Sequence, residues 1–140
     1  LGNLTSQLFV NIYMNEFDQF VKHELRAKYY IRYADDFVIL SENKERLASL
    51  IEPIGNFLTS NLRLSLHPDK VFIKTLNSGV DFLGWVNFPD HRVLRTNTKK
   101  RALKKLLEDG RPEVLNSYLG LFGHGNTHKI SRNLKQSWSI

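Results

Sequence analysis

No cysteine occurs in the 140 residues, which excludes a disulfide framework and a thiolate metal site and suits a reducing compartment, with the cytoplasm the expected location. No apolar run approaches the roughly 20 residues that a membrane-spanning helix needs. No charged and apolar leader precedes Leu1 and no initiating methionine stands there, so the chain reads as a piece of a larger polypeptide. Internal repeats and low-complexity tracts are lacking as well. Acid is scarce at one end: residues 1 to 90 hold 9 basic and 11 acidic groups, whereas residues 91 to 140 hold 11 basic and 3 acidic groups. The overall charge of +6 is therefore concentrated in the last third. Lys and Arg gathered in this way suit a polyanion, nucleic acid ahead of an acidic membrane surface, because each neutralised phosphate releases counterions. Apolar residues are plentiful, 41% with 11% aromatic, enough to bury a core in a chain of one domain's length.

The stretch that organises the chain is Tyr33-Ala34-Asp35-Asp36, where one apolar run, Tyr29 to Tyr33, passes into another, Phe37 to Leu40. Alternation puts Tyr29, Ile31 and Tyr33 on one face and Tyr30, Arg32 and Ala34 on the other, which predicts a β-hairpin with acid at its tip. An acidic pair in a turn is ordinarily only a solvated turn. Two adjacent carboxylates nevertheless repel, and a divalent cation relieves that repulsion. Hard oxygen donors suit Mg²⁺, which keeps several waters and takes one or two carboxylates together with substrate phosphates.

Ahead of the hairpin, Val10, Tyr13, Phe17, Phe20, Val21 and Leu25 recur at steps of three and four, predicting an amphipathic helix over 5–26 capped by Asn3 or Thr5. Behind it, Leu47, Leu50, Ile51, Ile54, Phe57, Leu58 and Leu62 predict a second helix over 43–61, in which Pro53 calls for a kink or a late start. His67-Pro68-Asp69-Lys70 reads as a turn before a strand at 71–74, with Lys70 fixed between them. A lysine there serves as a point charge for phosphate or as a proton donor. Residues 80–88 read as a strand with a bulge or close approach at Gly84, paired through the turn Pro89-Asp90-His91 with 92–96. A basic helix follows from Lys99, with Leu103, Leu106 and Leu107 as its inward stripe and Gly110 closing it; five of its residues 99 to 105 are cationic. Further helices are expected at Glu113–Phe122 and Lys129–Trp138, and His124 with His128 lacks the third ligand a metal site requires.

Taken in order, Leu1-Gly2-Asn3-Leu4-Thr5-Ser6-Gln7 before a helix, Tyr33-Ala34-Asp35-Asp36 in a hairpin, Leu64-Ser65-Leu66-His67-Pro68-Asp69-Lys70, and Phe82-Leu83-Gly84-Trp85 resemble the palm of reverse transcriptases. The resemblance covers nearly the whole chain. Within that family the opening is similar to the G-x-x-x-S-Q form found in diversity-generating retroelements, where retroviral and group II intron enzymes have a Q-G…S-P form, and Asn11 to Asp18 is similar to bacterial members of the wider group. The chain as a whole resembles a bacterial diversity-generating, retron or group II intron-like enzyme. The resemblance implies an RNA-directed DNA polymerase acting on an RNA template, a DNA primer and dNTPs. It assigns metal binding to Asp35 with Asp36 as the weaker partner, a catalytic place facing the triphosphate to Lys70, and nucleotide or template contacts to Gly2, Ser6, Gln7, Tyr33 and Ala34. Phe82, Leu83, Gly84 and Trp85 become the primer grip, and Lys99, Lys100, Arg101, Lys104 and Lys105 the start of a thumb on the duplex backbone. Two Mg²⁺ ions, with Mn²⁺ as a substitute, are implied about 4 Å apart, and they need a further Asp from a strand ahead of Leu1. The isolated chain is therefore expected to be inactive, with fingers and first palm strands supplied by the rest of the same protein.

The expected fold is α+β: a partial palm over 1–96, its antiparallel sheet built from 28–34, 37–41, 71–74 and 80–88 with both helices on one face, then a thumb-like helical segment over 97–140. Two other readings stay open. A non-catalytic RNA-binding module accounts for the charge but not for the paired acids. A palm-related nucleotidyl cyclase accounts for the acids but not for the basic end.

Overall fold

The computed structural model describes residues 4–109, 111–127 and 132. Gly2, Asn3, Gly110, His128 and, apart from Arg132, the final helix expected at Lys129–Trp138 lie outside the described residues. The fold is α+β, with five α-helices and two small antiparallel sheets among the described residues. The chain compacts into two units, the first ending at Ile73 and the second beginning at Lys74.

In the first unit, α1 (Leu4–Tyr13) leads through Met14 into α2 (Asn15–Gln19) and a π-helical stretch, Phe20–Glu24. The predicted single helix over 5–26 is thus real but segmented. Its apolar spacing continues through the break, so Met14, Phe17, Phe20 and Val21 are buried on one side. Next come β1 (Tyr29–Tyr33) and β2 (Asp36–Leu40), paired Tyr30 to Ile39, Arg32 to Phe37 and Tyr33 to Asp36. The predicted hairpin is present with its acids at the tip.

Helix α3 (Lys44–Leu62) is one continuous helix of 19 residues despite Pro53. It begins where the Asn43 side chain accepts from the Arg46 amide at 2.7 Å, satisfying one of the free N–H groups of the first turn. It ends at Arg63, whose φ of 50° turns the chain left-handed and lets the Leu64 amide donate to the Leu58 carbonyl. Leu50, Ile54, Leu58 and Leu62 form its buried stripe and share one core with Met14, Phe17, Phe20 and Val21. Tyr30, Phe37 and Ile39 pack on that core from the hairpin. Both helical elements therefore cover the same face of the hairpin, as the single apolar stripes require. Phe17 is the hub: its ring lies 5.0 Å from Phe37, 6.2 Å from Tyr30 and 6.2 Å from Phe57, and Phe57 stacks on Phe20 at 4.1 Å.

The expected strand at 71–74 does not form among the described residues. That run is pinched between 3-10 turns at Pro68–Lys70 and Leu76–Ser78, too little extended chain to build a ladder, and Phe72 is exposed. The sheet expected to join 80–88 to the hairpin is instead a separate one, β3 (Val80–Phe82), β4 (Trp85–Asn87) and β5 (Arg92–Leu94) in the order β3-β4-β5. Residues 80–88 fold back at Leu83-Gly84, where both residues have positive φ, 54° and 80°. Two left-handed residues in succession make the tight hairpin turn whose twist matches the flanking strands, so Gly84 is a turn residue rather than a bulge.

Helix α4 (Thr96–Glu108) and α5 (Pro112–Phe122) complete the second unit. Trp85, Leu94, Ala102 and Phe122 form its core. The stripe of α4 is Ala102 and Leu106 with half-buried Leu103, whereas Leu107, expected inward, is exposed. Asp81 pairs with Arg95 at 2.9 Å, tying β3 to the start of α4. Gly125 lets its segment lie flat on the Trp85 indole, because a Cβ there would sit 2.2 Å from the ring.

The hub position of Phe17 sets an expected outcome. Phe17→Ala should lose about 3–5 kcal/mol of unfolding free energy, while Phe9→Ala, on the exposed side of α1, should change it by no more than about 0.5 kcal/mol. Urea denaturation of both variants at neutral pH checks this.

Candidate functional site

The hairpin tip is a two-residue turn, Ala34-Asp35, closed by the Tyr33 to Asp36 pair. Ala34 has φ of 53°, a left-handed conformation that costs an alanine about 1–2 kcal/mol. Asp35 and Asp36 are exposed, and neither side chain has an ion pair or hydrogen bond among the described residues. Their charges are thus left to solvent or to a ligand.

Behind the tip lies a bonded network that sequence reading did not single out. The Arg32 guanidinium holds the Asp18 carboxylate two-pronged, Nε to Oδ1 at 2.8 Å and Nη2 to Oδ2 at 2.7 Å. Its remaining nitrogen, Nη1, donates to the Ala34 carbonyl at 2.7 Å and to Asn11 Oδ1 at 3.2 Å. The Tyr30 hydroxyl donates to Asp18 Oδ1 at 2.7 Å. Hydrogen bonding from Arg32 holds the Asp18 carboxyl below its ordinary range against a smaller opposing effect of burial, and burial followed by the Asp18 bond pushes the Tyr30 hydroxyl upward. One signal for this network was available: Arg32 falls on the inward face of a strand, and a charge there requires a partner.

Of the other residues singled out from sequence, Ser6 and Gln7 are exposed in the first turn of α1, and Gly2 precedes the described residues. Lys70 is exposed in the 3-10 turn Pro68–Lys70, and no hydrogen bond or ion pair joins its side chain to the acid tip among the described residues. In the second unit the four-residue stretch Phe82 to Trp85 divides in character. Leu83 projects at the turn with 49% exposure, whereas Trp85 is 7% exposed in the core with the Arg92 guanidinium 5.0 Å over its ring. Lys99, Lys100, Arg101, Lys104 and Lys105 are all exposed on α4. Lys104 and Lys105 lie 3.7 Å from Glu108 and Asp109 respectively, while Lys99, Lys100 and Arg101 have no acidic partner among the described residues.

As a donor set for a metal, the tip offers hard carboxylate oxygens of the kind that hold Mg²⁺ with water and phosphate. No group of three or more potential ligands gathers among the described residues. Two carboxylates match in type and number the one or two that Mg²⁺ takes beside water and phosphate. No helix among the described residues is long and apolar enough to cross a membrane.

The family model described as reverse transcriptase (RNA-dependent DNA polymerase) matches residues 1–87, from the start of the chain through β4. The chain belongs to the reverse transcriptase family. Among curated relatives of this reverse transcriptase chain, a COX1/OXI3 intron 2 protein of Saccharomyces cerevisiae is 40% identical over 61 residues, covering 43% of this chain and 7% of that protein. Protein YkfC of Escherichia coli is 29% identical over 131 residues, covering 70% of the chain and 32% of its own length. The group II intron-encoded protein LtrA of Lactococcus lactis subsp. cremoris is 35% identical over 89 residues, covering 61% of the chain and 14% of that protein. The chain thus spans at most about a third of the length of these relatives. Two of the three names refer to introns.

The Asp18 carboxylate gives this reverse transcriptase chain a pH signature. Its folded pKa lies below the unfolded value, so the stability it contributes is complete above about pH 5 and is lost as pH falls through the lowered folded value. At neutral pH Asp18→Asn should cost about 2 kcal/mol, since a hydrogen-bonded charge is removed from a largely buried guanidinium. Urea unfolding of wild type and variant at pH 7, 5 and 3 should show that difference intact at the first two and reduced at the third.

Proposed function

We propose that the whole protein is an RNA-directed DNA polymerase of the intron-encoded kind, and that this chain supplies the C-terminal part of its palm, residues 1–96, and the start of its thumb, 97–140. One observation carries the reading: two adjacent carboxylates stand uncompensated at a strained hairpin tip, in a chain of the reverse transcriptase family. Asp35, with Asp36 as the weaker partner, would hold Mg²⁺ or Mn²⁺. Such ions, when bound, activate the primer hydroxyl and stabilise the departing pyrophosphate. The protein's own residues bind and orient. Ala34 leaves room for the primer end or incoming nucleotide beside Tyr33, and Gly2, Ser6 and Gln7 border the nucleotide and template. Lys70 supplies a point charge for the triphosphate. Leu83-Gly84 presents the turn that meets the primer, with Phe82 and Trp85 anchoring it. The exposed cations of α4 hold the phosphates of the RNA and DNA strands. The lack of cysteine supports action in the reducing cytoplasm. The nucleotidyl cyclase alternative draws no support from the family match.

Because the carboxylates present hold an ion only in part, the 140-residue chain alone should not extend a primer. Primer extension on an RNA template, with this chain and with the polypeptide of its whole reading frame, checks this. Extension confined to the whole polypeptide, and reduced to background by Asp35→Asn, is the expected result. Extension by the chain alone, lost on Asp35→Asn, would refute the division of labour. If the whole polypeptide binds RNA but never extends, the non-catalytic RNA-binding reading takes its place.

The basic helix should act on phosphate alone. Lys99→Ala and Lys100→Ala should each lower RNA–DNA duplex affinity alike for all sequences and flatten the dependence of log affinity on log salt by about 0.9 per contact removed. Lys104→Ala and Lys105→Ala should do less, since each lysine has an acidic neighbour at 3.7 Å. Filter binding between 50 and 300 mM salt measures both.

A further inference from the structure

We infer that Arg32, clamped by Asp18, is a positioning residue that sets the direction of the Asp35 carboxylate through the Ala34 carbonyl. The inference deepens the polymerase reading and rests on it for its consequence in catalysis, though not for its geometry.

The Ala34 carbonyl belongs to the peptide unit that joins Ala34 to Asp35. Fixing that oxygen fixes the plane of the unit, and with it the bond about which Asp35 turns; the Cα–Cβ direction of Asp35 follows. Ala34 itself is left-handed, with φ of 53°, a state that persists only when its surroundings over-determine it. Arg32 supplies that determination. Two of its nitrogens are committed to the two Asp18 oxygens, at 2.8 and 2.7 Å, so the guanidinium plane cannot rotate. The third, Nη1, is then aimed at the Ala34 oxygen at 2.7 Å, with Asn11 Oδ1 taking a further bond at 3.2 Å. Tyr30 holds the Asp18 carboxylate from the side at 2.7 Å. The side chains come from α1, α2 and β1, so the direction of a group at the tip is referred back to the helical layer. The Arg32 and Asp18 side chains are only 9% and 21% exposed, which limits competition by water.

Holding the hairpin to the helices does not require this network, because Phe17, Tyr30, Phe37 and Phe57 already form a packed aromatic cluster. What the network adds is orientation. A lysine at position 32 would keep the charge but has no fork with which to grip Asp18 and Ala34 together.

The test uses the whole polypeptide labelled with ¹⁵N-aspartate, as wild type, Arg32→Lys, Asp18→Asn and Tyr30→Phe. Three quantities are read: the Asp35 amide resonance without metal, the Mn²⁺ concentration that half-broadens it, and kcat with KM for dNTP. Arg32→Lys should move the Asp35 resonance, raise the half-broadening Mn²⁺ concentration about tenfold and lower kcat about a hundredfold, as misplacement of a reacting group does, with KM within about twofold. Asp18→Asn should act in the same direction, and the double variant should be little worse than Arg32→Lys, because both remove one unit. Tyr30→Phe keeps the ring in the core and should give a smaller shift of the same kind, so it serves if the charged variants fold poorly. An Asp35 resonance and Mn²⁺ titration unchanged in Arg32→Lys or Tyr30→Phe would overturn the inference, as would loss of activity matched only by loss of folded protein. Failure of the polymerase reading is recognised separately, by wild type that neither extends primers nor shows Mn²⁺ broadening at Asp35. The metal-free resonance still decides whether Arg32 orients the tip.

Discussion

Strand register between β1 and β2 is the constraint on which the first unit depends. A turn of only two residues, Ala34-Asp35, leaves Tyr33 opposite Asp36 and so sends Tyr30, Arg32, Phe37 and Ile39 toward the helices. Because side chains alternate strictly along a strand, a slip of one residue would exchange the two faces. A slip of β2 would bring Asp36 onto the core face, and a slip of β1 would turn Arg32 to water with no reach to Asp18. Neither strand is long, five residues each, so the backbone ladder alone specifies this register weakly. The specification comes from the side chains, aromatic rings on one face and a charged pair that tolerates only one placement.

That charged pair sits at the border of an apolar core, where an unpaired guanidinium would lose hydration without replacement. Phe17 and Asp18 are consecutive on α2. The first enters the ring cluster and the second lies at its edge, where Arg32 and Tyr30 reach it. Matching of fork to carboxylate makes the interaction directional in a way packing is not. Hydrophobic burial supplies most of the adhesion between hairpin and helices; the pair supplies uniqueness.

Much of this was legible in the chain. Alternation from Tyr29 to Leu40 reveals the hairpin, spacing of Leu50, Ile54, Leu58 and Leu62 reveals α3, and the acids fall at the tip because the two runs meet there. Less legible were features decided by backbone conformation or by distant partners. Leu83 at φ of 54° converts an apparent strand into a hairpin, and nothing about a leucine announces a left-handed residue. The helix break at Met14 leaves the apolar spacing undisturbed, so periodicity passes over it. Val71 to Lys74 looks like a strand by composition, but strand formation requires a partner edge that composition cannot supply. Asp18 and Arg32 are 14 positions apart, beyond any local rule, although the inward place of Arg32 was itself a signal.

Each unit also carries a local excess of like charge that its own residues leave open. At the hairpin tip Asp35 and Asp36 repel with no basic partner among the described residues. On α4, Lys99, Lys100 and Arg101 stand near the helix start, where the helix dipole is itself positive, and no acidic residue occupies the first turn. A chain optimised only for folding would place acid on α4 and a base near the tip; the Lys104 to Glu108 and Lys105 to Asp109 pairs show how readily the same helix balances its far end. The two imbalances are opposite in sign, and therefore call for different compensation, a cation at the tip and phosphate on the helix. On the proposed polymerase reading, the metal with its triphosphate would answer the first and the backbone of the duplex the second. On that reading these destabilising charges would become favourable with substrate bound, the arrangement expected of residues kept for binding rather than for stability.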